Sequence, residues 1–307
     1  MGFSAQMQGM GRAAMAAAAF GLAACAPMPR AQTAPPSTTP SAPSAQSTAL
    51  AAYYAGVQQS LLSQGLLRTD GGGDDTPLTA TMLANNFLRI AMYEEHGKFA
   101  RGQTPLRLTR WSGPVRVALN FGPSVPAARQ AADRARIASF LARLSQLTGL
   151  SLGLASQSAN LTIAITSIDE RRALGPMITA ALPQINAAQV AGVTGMDRST
   201  YCLVWTQSNA ATNSYERAFV YIPAEHPDLM RLACMHEEIA QALGLPNDSG
   251  LARPSIFNDD EEFALLTRQD ELMLRMLYNP ALRNGMTEAD ARPIIEGLAR
   301  GLLGGNT

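Results

Sequence analysis

A surplus of charge is missing from this chain: 24 acidic residues balance 24 basic ones. Nucleic-acid binding needs a basic face that neutralises phosphates, so no nucleic acid is expected among the partners. A membrane-spanning run is missing as well. The small, apolar stretch Ala13 to Ala24 falls well short of the roughly 20 residues a transmembrane helix requires. Histidine is scarce, with three residues in 307, and this weighs on any zinc chemistry, because imidazole is a preferred zinc ligand. Cysteine is equally scarce. Cys25, Cys202 and Cys234 make an odd count, which leaves one sulfur over in any pairing scheme. Length is not lacking, since 307 residues suffice for one large domain or two small ones with a hydrophobic core.

The N-terminus explains the odd cysteine. Arg12 is the only charged residue before residue 30, and the apolar stretch after it ends in Leu22-Ala23-Ala24-Cys25. The stretch reads as the core of a signal peptide, and its end resembles the lipobox of bacterial lipoproteins. That resemblance implies that residues 1–24 are removed and that Cys25 is acylated, so the membrane is a partner through a lipid anchor. Ala26 rather than an aspartate follows the cysteine, which favours the outer membrane and a periplasm-facing place in the cell envelope. Residues 25–48 are rich in Pro, Ser, Thr, Ala and Gln, cannot bury enough surface to offset their conformational entropy, and read as a disordered tether.

Residues 49–307 read as a single globular domain, with 49–75 an N-terminal helical extension. Apolar residues at helical spacing predict helices over 49–67 and 79–95, and alternation predicts a strand over 114–121. A long amphipathic helix follows over 127–147. Strands are expected at 161–165, 201–205 and 218–222. Further helices are expected from Pro227 to Leu243, from a capping box at Thr267 and Asp270 to Tyr278, and over 288–302. Strands mixed with long helices give a layered α+β domain with a small mixed sheet and a long motif-bearing helix.

The motif is Cys234-Met-His236-Glu237-Glu238-Ile-Ala-Gln241-Ala-Leu-Gly244-Leu-Pro-Asn247-Asp248. It resembles the zinc-binding helix of metzincin peptidases, H-E-x-x-H-x-x-G-x-x-H. With His236 as first ligand the second falls on Ala240, which offers no donor. Shifted by one, the pattern places Glu237, Gln241 and Asn247 on the ligand positions, Glu238 on the general base and Gly244 on the turn. Glu237 and Gln241, four apart, share a helix face. Such an oxygen set suits calcium, magnesium or manganese better than zinc, so the cofactor is unknown, with a divalent metal as the candidate. His236 shares its face with Leu232, Ile239, Ala240 and Leu243, the environment of a packed core histidine. The neighbouring carboxylates Glu237 and Glu238 diverge by about 100° around the helix and would not flank a glycosidic bond. The acidic run 258–262 reads as a solvated loop before it reads as a calcium site.

The same block, with Pro254-Ser255-Ile256-Phe257-Asn258-Asp259 and Leu266-Thr267-x-x-Asp270 through Leu277-Tyr278, resembles the "domain of unknown function 2927" lipoproteins of proteobacteria. Asn86-Phe87-Leu88, Arg110-Trp111 and Leu147-Thr148-Gly149 fit the same pattern, so the likeness covers most of 79–286. It implies a metzincin-like fold and brings no established activity. Ser255-Ile256-Phe257 would then lie near the methionine turn of metzincins, with Phe257 in the methionine's place.

With Cys25 taken by lipid, Cys202 and Cys234 are free to pair. Export to an oxidising compartment favours a disulfide between them, stapling the motif helix to the sheet. The expectation is an exported, lipid-anchored protein with a degenerate metallopeptidase-like site, or else an inactive envelope scaffold, with a peptide or an envelope protein as partner. Cys25→Ser should move the protein from the membrane pellet to the soluble fraction on ultracentrifugation. Retention in the pellet would refute the lipid anchor.

Overall fold

The first described helix, α1 (Ala45–Ser63), is capped by Ser44, whose hydroxyl accepts the Ser47 N–H at 3.0 Å. The computed structural model describes residues 42–94, 104–258 and 260–304. The expected signal peptide, Cys25 and most of the tether lie outside the described residues. Helix α1 starts within the expected tether, four residues before 49, because Ser44 also bonds Asp169 through its N–H (3.0 Å) and its hydroxyl (2.5 Å). It stops at Ser63, before Gly65 at φ +75°, rather than at 67.

Along the chain follow α2 (Ala80–Ala91), β1 (Tyr93–Glu94), β2 (Thr104–Pro105), β3 (Arg110–Trp111), β4 (Val115–Phe121), α3 (Ala127–Thr148), β5 (Leu152–Leu154) and β6 (Leu161–Thr166). Then come α4 (Ile168–Arg171), α5 (Gly175–Ala181), α6 (Ala187–Thr194), β7 (Leu203–Asn209), β8 (Ser214–Pro223), α7 (Asp228–Ala242), α8 (Arg268–Leu277) and α9 (Glu288–Leu303). The caps are those the sequence marks. Thr79 and Thr267 accept N–H bonds from Met82 and Asp270, and Gly149 ends α3 in the left-handed region at φ +73°. Strand β7 begins at Leu203, so Cys202 precedes the strand rather than lying in it. Helix α2 ends at Ala91 rather than 95, and β1 begins at Tyr93. The elements absent from the expectation, β1, β2, β3, β5 and α4 to α6, are all short, too short for apolar spacing to mark them firmly.

The sheet runs in the order β5-β4-β6-β8, all parallel, with β7 antiparallel on the outer side of β8 and β3 beside the start of β8. The fold is therefore mixed α/β with a parallel-dominated sheet. It has more parallel character than the expected α+β arrangement, while the expected mixing survives in β7. Parallel sheets are covered on both faces, and alternation along the strands shows it here. Leu161, Ile163 and Ile165 of β6, with Ala218, Val220 and Ile222 of β8, face a core shared with α2, α3, α7, α8 and α9. Ala164, Phe219 and Tyr221 face the opposite side, under α5 and α6. No described helix is long and apolar enough to cross a membrane.

Helix α1 closes one end of this sandwich. Leu50 and Tyr54 pack on Ile168, Met230 and Ala233. Ser47 donates to Oε1 of the buried Glu225 at 2.8 Å, and that oxygen also accepts the Ile168 N–H at 2.8 Å. Helix α7 is fastened to α3 by an enclosed ion pair. Arg231 Nε donates to Asp133 Oδ2 at 3.0 Å, and neither side chain is more than 1 % exposed. The same guanidinium donates to the His226 carbonyl at 2.7 Å and to Asp228 at 2.7 Å. Arg231→Ala should lower the unfolding free energy by about 3–5 kcal/mol, as expected when one partner of a buried pair is removed. Asp228→Ala, at a carboxylate whose side chain is 65 % exposed, should cost under about 1 kcal/mol. Urea denaturation of both variants checks the contrast, and equal losses would show that the enclosed pair is not what holds α7.

Candidate functional site

The motif helix α7 opens after Pro227, with Asp228 in its first turn, where a negative charge complements the helix dipole. Its far end is held by ring donors. Trp111 Nε1 donates to the Ala242 carbonyl at 2.8 Å, and the Tyr278 hydroxyl donates to the Leu243 carbonyl at 2.7 Å. Gly244 then turns the chain at φ +120°. A Cβ there would stand 2.7 Å from the Thr109 carbonyl oxygen, so the glycine is required both by its conformation and by the close approach.

Cys234, in the first half of α7, is bonded to Cys202 with an S–S distance of 2.03 Å. The expected disulfide is present, and it ties the motif helix to the residue that precedes the edge strand β7. A loop of this length contributes about 3–4 kcal/mol in the chain-entropy treatment.

His236 is a core residue, as its helix face implies. It is 7 % exposed and stacks on Phe140 of α3 with ring centroids 4.0 Å apart. Its Nδ1 accepts the Leu266 N–H at 3.2 Å. His226 is likewise enclosed: Nε2 donates to the Tyr201 carbonyl at 2.6 Å, and the ring packs on Tyr54 at 4.1 Å. Burial holds both imidazoles down to about 4, with the Arg143 charge adding to the effect at His236.

The four oxygen-bearing residues of the motif divide among different neighbours. The Glu237 and Glu238 carboxylates and Cys202 Sγ lie within 4.8 Å of one another, with Glu238 buried and Glu237 half-buried. Gln241 Nε2 donates to Asp248 Oδ1 at 3.1 Å. Asn247 Nδ2 donates to the Arg89 carbonyl at 2.7 Å, and the Asn247 N–H reaches the Ile90 carbonyl at 3.2 Å. Asn247 thus serves the last carbonyls of α2, which a helix end leaves without intrahelical partners.

The loop below α7 is organised by Asp270, which is wholly buried. It accepts from the Ser255 hydroxyl at 2.5 Å, the Ile256 N–H at 3.0 Å and the Thr267 N–H at 2.8 Å. Burial raises its carboxyl to about 6 against the pull of these donors. Phe257 is fully enclosed in the same loop. Glu262, in the acidic run, is clamped by Arg253 (2.6 Å) and Arg68 (2.9 Å), so its carboxylate serves ion pairs rather than a calcium site. Neither this clamp nor the Arg231–Asp133 pair had a signal in sequence spacing, because the partners are joined only by the fold.

Fold and site define a disulfide-stapled, mixed α/β domain with an acidic pair on a buried motif helix. The family model described as a protein of unknown function (DUF2927) matches residues 80–297, and the chain belongs to that family. No curated protein and no solved structure matches it significantly.

The buried titrating groups set a pH dependence of stability. The two histidines have folded values of about 4 against roughly 6.5 unfolded. The unfolded chain therefore binds more protons between these limits, and stability present above pH 6.5 is lost as pH falls toward 4, on the order of 3 kcal/mol for each imidazole. Asp270 acts with the opposite sign. Its raised value favours the protonated fold, so its contribution is present at low pH and is lost as pH rises through about 6. The sum is a net acid destabilisation. The urea midpoint should drop between pH 7 and pH 4, and His236→Gln, which keeps an acceptor for Leu266, should flatten that profile. An unchanged slope in the variant would refute the assignment.

Proposed function

We propose that the protein is an exported, lipid-anchored component of the cell envelope whose peptidase-like helix has lost its zinc chemistry and now serves binding. The observation that carries this is His236, the one histidine on the motif helix, turned into the core against Phe140 with Nδ1 occupied by Leu266. The residues do not fit a catalytic zinc, which takes His, Cys and carboxylate donors and keeps one position open. Cys202 and Cys234 are spent in a disulfide, Gln241 is engaged with Asp248, and Asn247 with α2. No hydrolytic step is assigned to Glu238.

A metzincin-like ancestry is supported by the parallel-dominated sheet, its single antiparallel edge strand β7, and the Gly244 turn after the motif helix. Export is supported by the disulfide, a bond of oxidising compartments. Among the described residues β7 pairs only with β8, so its outer edge offers main-chain groups to an extended peptide by strand addition. That geometry favours a peptide or an envelope protein as the partner.

A second reading is favoured by the convergence of Glu237 and Glu238 near Cys202. A disulfide sulfur is a poor ligand, so a cation there would rest on carboxylate oxygens, the donors of calcium, magnesium or manganese. Elemental mass spectrometry on the full-length protein separates the two readings, run beside a Glu237→Ala/Gln241→Ala variant. Zinc well below one per chain in both proteins is the expected result. One zinc per chain that disappears in the variant would overturn the retired-site reading, and calcium or manganese that disappears in the variant would establish the second.

A further inference from the structure

Among the described residues two arginines are buried, and their surroundings differ. Arg231 is 1 % exposed and meets two carboxylates and a carbonyl. Arg171, the last residue of α4, is 5 % exposed. Its Nε makes no hydrogen bond, and among the described residues no carboxylate pairs with it. The ring it lies over, Tyr221, is 5.9 Å away at the centroid, and burial holds that phenol above its ordinary value and therefore neutral. A guanidinium keeps its proton at any physiological pH. Enclosing one with no carboxylate in contact is costly, because the lost hydration is offset only in part by the Tyr221 ring.

Arg171 lines a cavity of about 430 Å³ between α1, α4 and the turn after α6. Arg172 and Arg198 line the same cavity. Arg172 contacts Gln46 Oε1 at 3.4 Å, and Arg198 lies over the Tyr53 ring at 4.5 Å. Three guanidinium groups thus share the space with one carboxylate, Asp197, which accepts from the Ser199 N–H (2.8 Å) and hydroxyl (2.7 Å). Leu50 and Met196 complete the walls with apolar surface.

We propose that this cavity binds a small molecule bearing an oxyanion, phosphate or carboxylate, with Arg171 as the buried anchor and Arg172 and Arg198 at the mouth. The planar fork of arginine matches both anions in a two-pronged geometry. Since α1 forms one wall, the bound anion joins α1 to α4 and to the turn after α6, and occupancy strengthens the seat of the helix that follows the N-terminal segment. The motif residues of α7 do not line this cavity, so the inference stands apart from the fate of the peptidase-like site.

Isothermal titration calorimetry of the full-length protein with inorganic phosphate and with succinate, against chloride at matched ionic strength, tests this. Saturable binding of one anion is expected, and the tighter of the two names the class. Arg172→Gln and Arg198→Gln, at exposed positions where substitutions cost little stability, should each weaken binding roughly tenfold, the loss of a charge-assisted contact. Arg171→Gln should abolish binding, with circular dichroism reporting its fold; if it does not fold, the two exposed variants decide. Absence of binding by both anions, or binding unchanged in Arg172→Gln and Arg198→Gln, would overturn the proposal. Glu237→Ala should bind like the wild type, which separates this site from the motif helix.

Discussion

The ion pair between Arg231 and Asp133 is the constraint on which the placement of the motif helix rests. Arginine cannot shed its proton to escape burial, so once α7 packs against α3 the carboxylate must be present, and it is, with both side chains sealed from solvent. The pair sets the depth of α7. Two further attachments then fix its rotation: the disulfide to Cys202 on one side and the His236–Phe140 stack on the other. With these in place the helix cannot turn an imidazole outward, while Glu237 stays half-open. The chemistry available at the motif follows from packing, not from the order of its letters.

Much of the layered plan was legible because long elements declare themselves. The apolar spacing of α3, the Thr267–Asp270 cap of α8 and the alternation of β6 all appear in the chain as local patterns, and local patterns are what sequence reading captures. The disulfide was legible by elimination once Cys25 was set aside. The core role of His236 was legible from its apolar neighbours on the helix. What could not be read was whatever depends on distant partners. Asn247 looked like a ligand because it stood at a ligand spacing, yet its amide serves the Arg89 carbonyl. Glu262 looked like part of a solvated acidic run, yet it is held by two arginines, one of them in the segment after α1. The start of α1 was misjudged because Ser44 takes its second partner, Asp169, from helix α4, 125 residues away.

The N-terminal helix is where sequence and structure diverge most usefully. Its composition suggested an appendage to a tether. In the fold it is a wall, fastened by Ser47 to the buried Glu225 and by Tyr54 to His226. Beneath it lies a concentration of polar atoms without hydrogen-bond partners: the Tyr54 hydroxyl, Thr166 Oγ1, Ser167 Oγ, Arg171 Nε and Glu225 Oε2. Buried polar atoms are nearly always satisfied in folded proteins. Their clustering at the carboxyl ends of β6 and β8 is therefore specific, and that end of a parallel sheet is where such folds hold their ligands.

The two buried arginines differ in what meets them. A fold that encloses Arg231 supplies it with Asp133, Asp228 and a carbonyl. The same fold encloses Arg171 to a similar degree and supplies a cavity, two more arginines and one carboxylate engaged with Ser199. If burial of Arg171 served packing alone, a leucine or methionine would give the same contact without the desolvation cost. A charge retained at that cost and directed toward open space is the signature of a group that meets its counter-ion from outside. The buried arginine of α7 gives the opposite result, because Asp133, Asp228 and a carbonyl match it from within.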